Sequence, residues 1–232
     1  MTDLSDFPIT KRWPPQNAGV LQLYSFPTPN GVKISIALEE LGLPYEAHKV
    51  TLSDEDVKSD AFLSLNPNNK IPAIIDPDGP DGQPLGLFES GAILLYLAEK
   101  TGKLAGRNAA EKARVTQWLM FQMGGLGPML GQLGFFYKFA GSEWDDKRPQ
   151  QRYIDEAKRL LAVLEKELDG REWIAGDYSI ADIAIAPWLR SLDFYGAREV
   201  VGWADHKNLV AYLDRFLERP AVQVGLVTPA RD

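Results

Sequence analysis

Residues 66–102, NPNNKIPAIIDPDGPDGQPLGLFESGAILLYLAEKTG, constrain the fold more than any other stretch. An Asn-rich loop runs into Ile71-Pro72 and a short apolar strand, Ala73, Ile74 and Ile75. A Pro/Gly-rich hairpin turn leads to a second strand, Leu85, Leu87 and Phe88. Glu89-Ser90 then heads an amphipathic helix with apolar positions at Ile93, Leu94, Tyr96 and Leu97, which closes at Gly102. Pro72 has no N–H for a ladder, so it belongs at a strand start or in the cis form. A cis bond would turn the N–H and C=O of Ile71 outward, where an extended peptide can pair as an added strand. Ser90 is expected as the helix N-cap, beside first-turn N–H groups suited to a carboxylate. Glu89 is an acidic neighbour for an amine. These features together fit a small bound peptide.

The rest of the N-terminal half completes one domain around this unit. Residues 20–26 alternate, Val20, Gln22, Tyr24 and Phe26 against Leu21, Leu23 and Ser25, as a strand does. TPNG at 28–31 breaks it, and Lys33–Leu41 carries a helical stripe of Ile34, Ala37, Leu38 and Leu41 ended by Gly42. Residues 45–52 read as a further strand and Asp54–Leu65 as a short polar connection. The order β, α, β, short helix, β, β, α predicts a thioredoxin-like α/β domain over 20–101, a βαβ unit followed by a hairpin and helix. GKLAGRN at 102–108 is the linker, because strand signals stop there. From Ala109 the pattern is helical, at 109–138, 150–169, 179–195, 206–218 and from Ala221, so 109–232 is expected to be an all-helical domain. Gly124-Gly125 and Gly127-Pro128 should bend or break the first of these helices, either to shape a cleft wall or to allow close helix packing. Ser179-Ile180-Ala181-Asp182 has the form of a capping box and is assigned to stability. Residues 1–19 form an arm with an extended Trp13-Pro14-Pro15, either a mobile tail or a strap docking on a partner subunit through Trp13.

The composition excludes several function classes. A formal charge of −7 with no basic stripe argues against nucleic acid. No run of eighteen apolar residues is present, so no membrane span is expected. The N-terminus, acidic early and without an apolar core, does not read as a secretory signal, and a cytoplasmic address is expected. His48 and His206, the two histidines, lie far apart without spaced partners, which leaves a metal site or hydrolytic triad without support. No phosphate-binding glycine loop occurs. The chain has no cysteine. It therefore has no disulfide, and any thiol chemistry must use a thiol that the ligand brings.

TPNG at 28–31, KIPAI at 70–74, ES at 89–90 and GGLGPMLGQ at 124–132 occur in order, and over roughly residues 20–227 the chain resembles the glutathione transferases. The resemblance is to their nu class, a bacterial group related to the fungal prion-forming nitrogen regulator. It implies a thioredoxin-like domain followed by a helical bundle domain, a two-fold homodimer, and glutathione as co-substrate without metal. It also implies disulfide-bond reduction, with weaker transfer to electrophiles or reduction of organic hydroperoxides. A free thiol of pKa about 8.5 is mostly protonated at neutral pH, so hydrogen-bond donors and a helix N-terminus near the sulfur are needed to favour the thiolate. The resemblance places Thr28 and Asn30 there as catalytic residues. TPNG is good turn chemistry in its own right, and Tyr24 is the rival sulfur ligand.

By the same resemblance Ile71, before Pro72, pairs with the cysteinyl unit of glutathione, and Asn69 and Lys70 reach its glycine carboxylate. Glu89 and Ser90 grip the γ-glutamyl amine and carboxylate. A second glutathione, or the other half of glutathione disulfide, would meet Gln132, Arg152 and Tyr153, although Arg152 can equally pair along its helix with Asp155 or Glu156. Conventional conjugation, a non-catalytic glutathione-binding regulatory module and a protein scaffold are the competing functions.

Overall fold

The structure is a computed structural model and describes residues 4–231. It divides into two compact units, one made of the residues up to Thr101 together with those from Pro220 onward, the other of Gly102–Arg219.

In the first unit β1 (Leu21–Ser25), β2 (Tyr45–Lys49), β3 (Ala73–Asp76) and β4 (Leu85–Phe88) form one mixed sheet in the order β2-β1-β3-β4. β1 and β2 are parallel, and β3 is antiparallel to both β1 and β4. The parallel pair is joined through helix α1 (Gly31–Leu41), which ends on Gly42 in the left-handed region (φ 66°) as the sequence pattern predicts. Every residue of β1 and β3 is buried, because both faces of the sheet are covered. Tyr24, Ala73 and Ile75 project into one core with Val57 and Phe62 from the short helices α2 (Asp54–Val57) and α3 (Asp60–Leu63). Leu21, Leu23 and Ile74 alternate to the opposite face, where α1 packs against α4 (Ser90–Thr101). Asp76, buried at the end of β3, accepts from Tyr96 Oη at 2.6 Å and pairs with Lys100 Nζ at 3.0 Å, which fastens α4 to the sheet.

Both ends of the chain depart from expectation. The N-terminal arm, whose first three residues lie outside those described, is not a loose tail but packs on its own unit. Leu4 and Ile9 are buried in the sheet core. Trp13 packs edge-on to Tyr24 and Phe62 and donates Nε1–H to the Lys49 carbonyl at 3.1 Å. The Glu46 carboxylate accepts the backbone N–H groups of Gln16 and Asn17 at 2.9–3.0 Å. An exposed-looking aromatic is thus spent within its own domain. At the other end, the expected helical domain 109–232 loses its last segment to the first unit. The terminal helix Pro220–Gly225 lies on α1 so closely that a Cβ on Gly225 would sit 2.6 Å from the Ile36 backbone, and Ser35 Oγ donates to the Gly225 carbonyl at 2.6 Å. Six residues carry too short a period to reveal which unit they cover.

The second unit is helical, with α5 (Ala109–Phe121), α6 (Gly127–Tyr137), α7 (Arg148–Glu167), α8 (Ile180–Tyr195) and α9 (Lys207–Leu217). The glycine-rich stretch does not break the first helix. Residues 122–126 form a π-helical turn in which Gly127 N–H bonds to the Gln122 carbonyl, and α6 continues from it. The wider turn absorbs the hydrogen bond that Pro128 cannot donate. The α6 glycines serve close packing, since a Cβ on Gly134 would lie 2.6 Å from the Tyr195 ring of α8. The capping box forms as read: Ser179 caps α8 and the Asp182 carboxylate returns to the Ser179 N–H at 2.9 Å. Asp182 also accepts from Ile174 N–H at 3.0 Å and is wholly buried. Burial raises its pKa to about 6 against the pull of these donors.

Removing a buried acceptor that satisfies two backbone N–H groups costs about 2–4 kcal/mol. Asp182→Ala is therefore expected to lower the urea midpoint accordingly while leaving ligand affinity per folded molecule unchanged. A loss under about 0.5 kcal/mol would contradict the structural assignment.

Candidate functional site

The sheet register gathers the predicted residues of the first unit. Tyr24 pairs with Ala73, and Ala73 with Phe88. The end of β1, the start of β3 and the end of β4 therefore meet at one end of the sheet. The chain leaving β1 forms Thr28–Gly31, the chain entering β3 is Asn69–Pro72, and the chain leaving β4 is Glu89-Ser90.

At the first segment, Thr28 Oγ1 accepts the Gly31 N–H at 3.1 Å and the Thr28 carbonyl accepts Val32 N–H at 3.0 Å. Thr28 thus caps α1, and its hydroxyl proton remains to be donated elsewhere. Only glycine fits at 31, because a Cβ there would lie 1.9 Å from the Phe26 carbonyl oxygen. Asn30 occupies the N-cap position but makes no side-chain cap. Its Oδ1 accepts from Lys33 Nζ at 2.9 Å.

At the second segment the Ile71-Pro72 bond is cis and the ladder begins only at Ala73. Ile71 lies just beyond the paired edge. Asn66, nearly fully buried, organises the loop: its amide nitrogen donates to the Lys70 carbonyl and its Oδ1 accepts Asn68 N–H at 2.9 Å. Asn69 adopts φ 52°, and the Lys70 side chain is exposed.

The third segment corrects one expectation. Ser90 is the first residue of α4 and not its cap; Glu89 precedes it at φ 71°. A left-handed conformation costs a non-glycine residue roughly 1–3 kcal/mol and concentrates at functional sites. It leaves Glu89 exposed while its carbonyl accepts Ile93 N–H at 2.9 Å. Ser90 Oγ is buried and accepts from Lys33 Nζ at 3.3 Å.

Lys33 is the residue that sequence reasoning missed. It sits in an apolar run, VKISIAL, where a lysine ordinarily reaches solvent, yet it is fully buried. Its spacing of three from Asn30 was the available signal. Burial pushes its pKa down to about 7, opposed by the charge of Glu89. One amine therefore touches the starts of both α1 and α4, whose dipoles each present about half a positive charge. The site favours anions.

Tyr24 does not belong to it. Its side chain is fully buried in the sheet core, stacked on His48 at 4.7 Å, and burial with the nearby Glu46 charge raises its pKa. A phenol so held neither reaches a ligand sulfur nor ionises. His48 is buried as well, with its pKa lowered by burial, and contacts Gln22 Oε1 at 2.8 Å.

The remaining predicted residues lie on the helical unit. Gln132 is exposed on α6. On α7, Arg152 is exposed and 3.6 Å from Glu156, the local pairing considered above. Tyr153 stacks on Phe136 at 5.3 Å. Among the described residues no cluster of His, Cys, Asp or Glu could hold a metal ion, and no helix is long and apolar enough to cross a membrane.

Comparison with known proteins decides the family. The profile of the glutathione S-transferase N-terminal domain matches residues 19–99, and that of the C-terminal domain matches residues 128–220. The chain belongs to the glutathione transferase family. This glutathione transferase is 44% identical to the disulfide-bond oxidoreductase YfcG of Escherichia coli K12, over 90% of its own length and 95% of that protein's. It is 60% identical to a Pseudomonas putida glutathione transferase solved with one glutathione disulfide bound per subunit, with a TM-score of 0.97 over 98% of this chain and 100% of that one. A Burkholderia graminis glutathione transferase, solved with two glutathione molecules per subunit, is 63% identical with a TM-score of 0.98, covering 100% of this chain and 98% of that one.

The buried lysine generates a pH-dependence. An unfolded lysine keeps its proton to about pH 10.4, whereas Lys33 in the folded chain loses it near 7. Between these values the unfolded state binds more protons, so the unfolding free energy rises with pH, by up to about 1.4 kcal/mol per unit. The stability of the wild type relative to Lys33→Met is expected to climb from pH 7 to 10 in denaturant titrations. A difference independent of pH would contradict it.

Proposed function

We propose that this glutathione transferase reduces disulfide bonds with a glutathione thiolate held on the first unit, with weaker transfer to electrophiles and reduction of organic hydroperoxides. The observation that carries the reading is the absence of cysteine beside a hydroxyl and an amide, Thr28 and Asn30, at a positively biased helix start. The naming of YfcG as a disulfide-bond oxidoreductase, and the glutathione and glutathione disulfide in the Burkholderia and Pseudomonas structures, support it.

In this reading the tripeptide lies along Ile71 as an added strand, before Pro72. Its γ-glutamyl carboxylate meets Ser90 and the first turn of α4, its amine meets Glu89, and its glycine carboxylate meets Asn69 and Lys70. The Thr28 hydroxyl and the Asn30 amide face the sulfur. At pH 7 a thiol of pKa 8.5 is roughly 3% ionised, and lowering that pKa to about 6.5 makes it roughly three-quarters ionised. The thiolate attacks one sulfur of the substrate disulfide. A mixed disulfide with glutathione forms as the other substrate sulfur leaves as a thiolate and takes a proton. A second glutathione then attacks the glutathione sulfur of the mixed disulfide, releasing the second substrate thiol and glutathione disulfide. Two glutathiones are oxidised for each disulfide reduced, and no protein sulfur takes part.

Gln132, Arg152 and Tyr153 are assigned to the second glutathione. Arg152 would exchange Glu156 for a ligand carboxylate, which its planar fork binds bidentately. The enzyme is taken to work as a homodimer in the cytoplasm, where glutathione is kept reduced.

Losing one hydrogen bond to a charged sulfur costs about 1.5–3 kcal/mol, or roughly 10–150-fold in rate. Asn30→Ala and Thr28→Ala are each expected to lose that much in kcat/KM for a model disulfide, while Tyr24→Phe stays within about twofold. An inactive Tyr24→Phe beside a fully active Asn30→Ala would overturn the assignment.

A further inference from the structure

We infer that Lys33 is a positioning residue: by binding Asn30 Oδ1 and Ser90 Oγ together, it aims the Asn30 amide at the glutathione sulfur and locks the sulfur and carboxylate ends of the site to each other. The inference deepens the proposed function and rests on it.

Three observations carry it. First, the two acceptors belong to segments 57 residues apart, and each is a group assigned to the ligand. Lys33 is wholly buried, so its amine acts on the ligand through these groups and not by direct contact. Second, a primary amide is nearly symmetric in shape, and its two ends have opposite polarity. Turned the wrong way, Asn30 would present an oxygen to a thiolate and raise the thiol pKa. A lysine amine that donates to Oδ1 at 2.9 Å disfavours that orientation and directs the two N–H groups of Nδ2 to the other side. Third, Glu89 is the charge acting on Lys33, and it stands at the neighbouring position to Ser90. A ligand whose carboxylate arrives at α4 and whose sulfur ionises at α1 brings negative charge to both sides of one buried amine, and each event favours the other.

The test uses the full-length protein with Lys33→Met, which keeps length and apolar packing, and Lys33→Gln, which keeps a donor. The thiol pKa of bound glutathione is read from thiolate ultraviolet absorbance against pH, and the affinity for S-methylglutathione, which has no ionisable thiol, from calorimetry. Lys33→Met is expected to raise the bound thiol pKa by about one unit, a fall in thiolate at pH 7 from roughly three-quarters to roughly one-quarter. It is also expected to weaken S-methylglutathione several-fold. Lys33→Gln should recover part of both. In an Asn30→Ala background Lys33→Met should add little further shift in thiol pKa, because its path runs through the missing amide. If the thiol pKa and the S-methylglutathione affinity of Lys33→Met and Lys33→Gln stay at wild-type values, whatever happens to their melting temperatures, the inference is overturned and the proposed function stands. A wild type that binds no glutathione overturns both. Should Lys33→Met not fold, Lys33→Gln decides by the same two readings.

Discussion

One buried amine, that of Lys33, bonds at once to the start of α1 and the start of α4 in this glutathione transferase. Lys33 lies where neither water nor an adjoining salt-bridged surface would ordinarily leave a lysine, and its depressed pKa expresses that cost. The compensation is positional. A single residue fixes an amide at the head of α1 and a hydroxyl at the head of α4, and adds its charge to two helix dipoles that point the same sign at the same place. A site of this kind suits a ligand with a carboxylate and an ionising sulfur, and suits a cation poorly.

That contact exists because the register of the sheet leaves no other arrangement. β3 is paired on both sides, so the turn after β1, the loop before β3 and the corner after β4 converge at one end of the sheet. The two faces of the sheet divide the labour. One face, with Tyr24, Phe62 and the N-terminal arm, is sealed as core. The other carries α1 and α4, whose starts make the site. Tyr24 is therefore buried away from those starts even though its residue type suits a sulfur contact, whereas Thr28 and Asn30, the proposed sulfur contacts, stand at the start of α1.

Much of this was legible in the chain itself. The strand–turn–strand–helix unit at 66–102, the glycine that ends α1 and the capping box at Ser179 all follow from local rules, and the structure realises each. The family motifs located the site segments, since TPNG, KIPAI and ES sit at the three chain segments that the register joins. What could not be read depends on contacts far apart in sequence. Lys33 looks like a solvent-facing helix residue until α4 covers it. Asn66 looks like one of several loop asparagines until its side chain is seen tying Lys70 and Asn68. Ser90 reads as a cap, and only the left-handed Glu89 before it shows the helix beginning one residue earlier than a cap there would imply. Trp13 and the final helix Pro220–Gly225 are unreadable for the same reason: each has an apolar surface whose contact within the unit is set by tertiary packing and not by periodicity.

The absence of cysteine turns this geometry into a sharp claim about sulfur. Every reactive thiol must arrive on a ligand, and the proposed contribution of the protein is to hold that thiol and set its charge. A high-resolution crystal structure of the complex with reduced glutathione tests this most directly. The account predicts the sulfur within hydrogen-bond distance of Thr28 Oγ1 and Asn30 Nδ2, the cysteinyl backbone paired with Ile71, and the γ-glutamyl carboxylate at Ser90. A glutathione bound elsewhere, or one at this end of the sheet with its sulfur turned away from both Thr28 and Asn30, would contradict it.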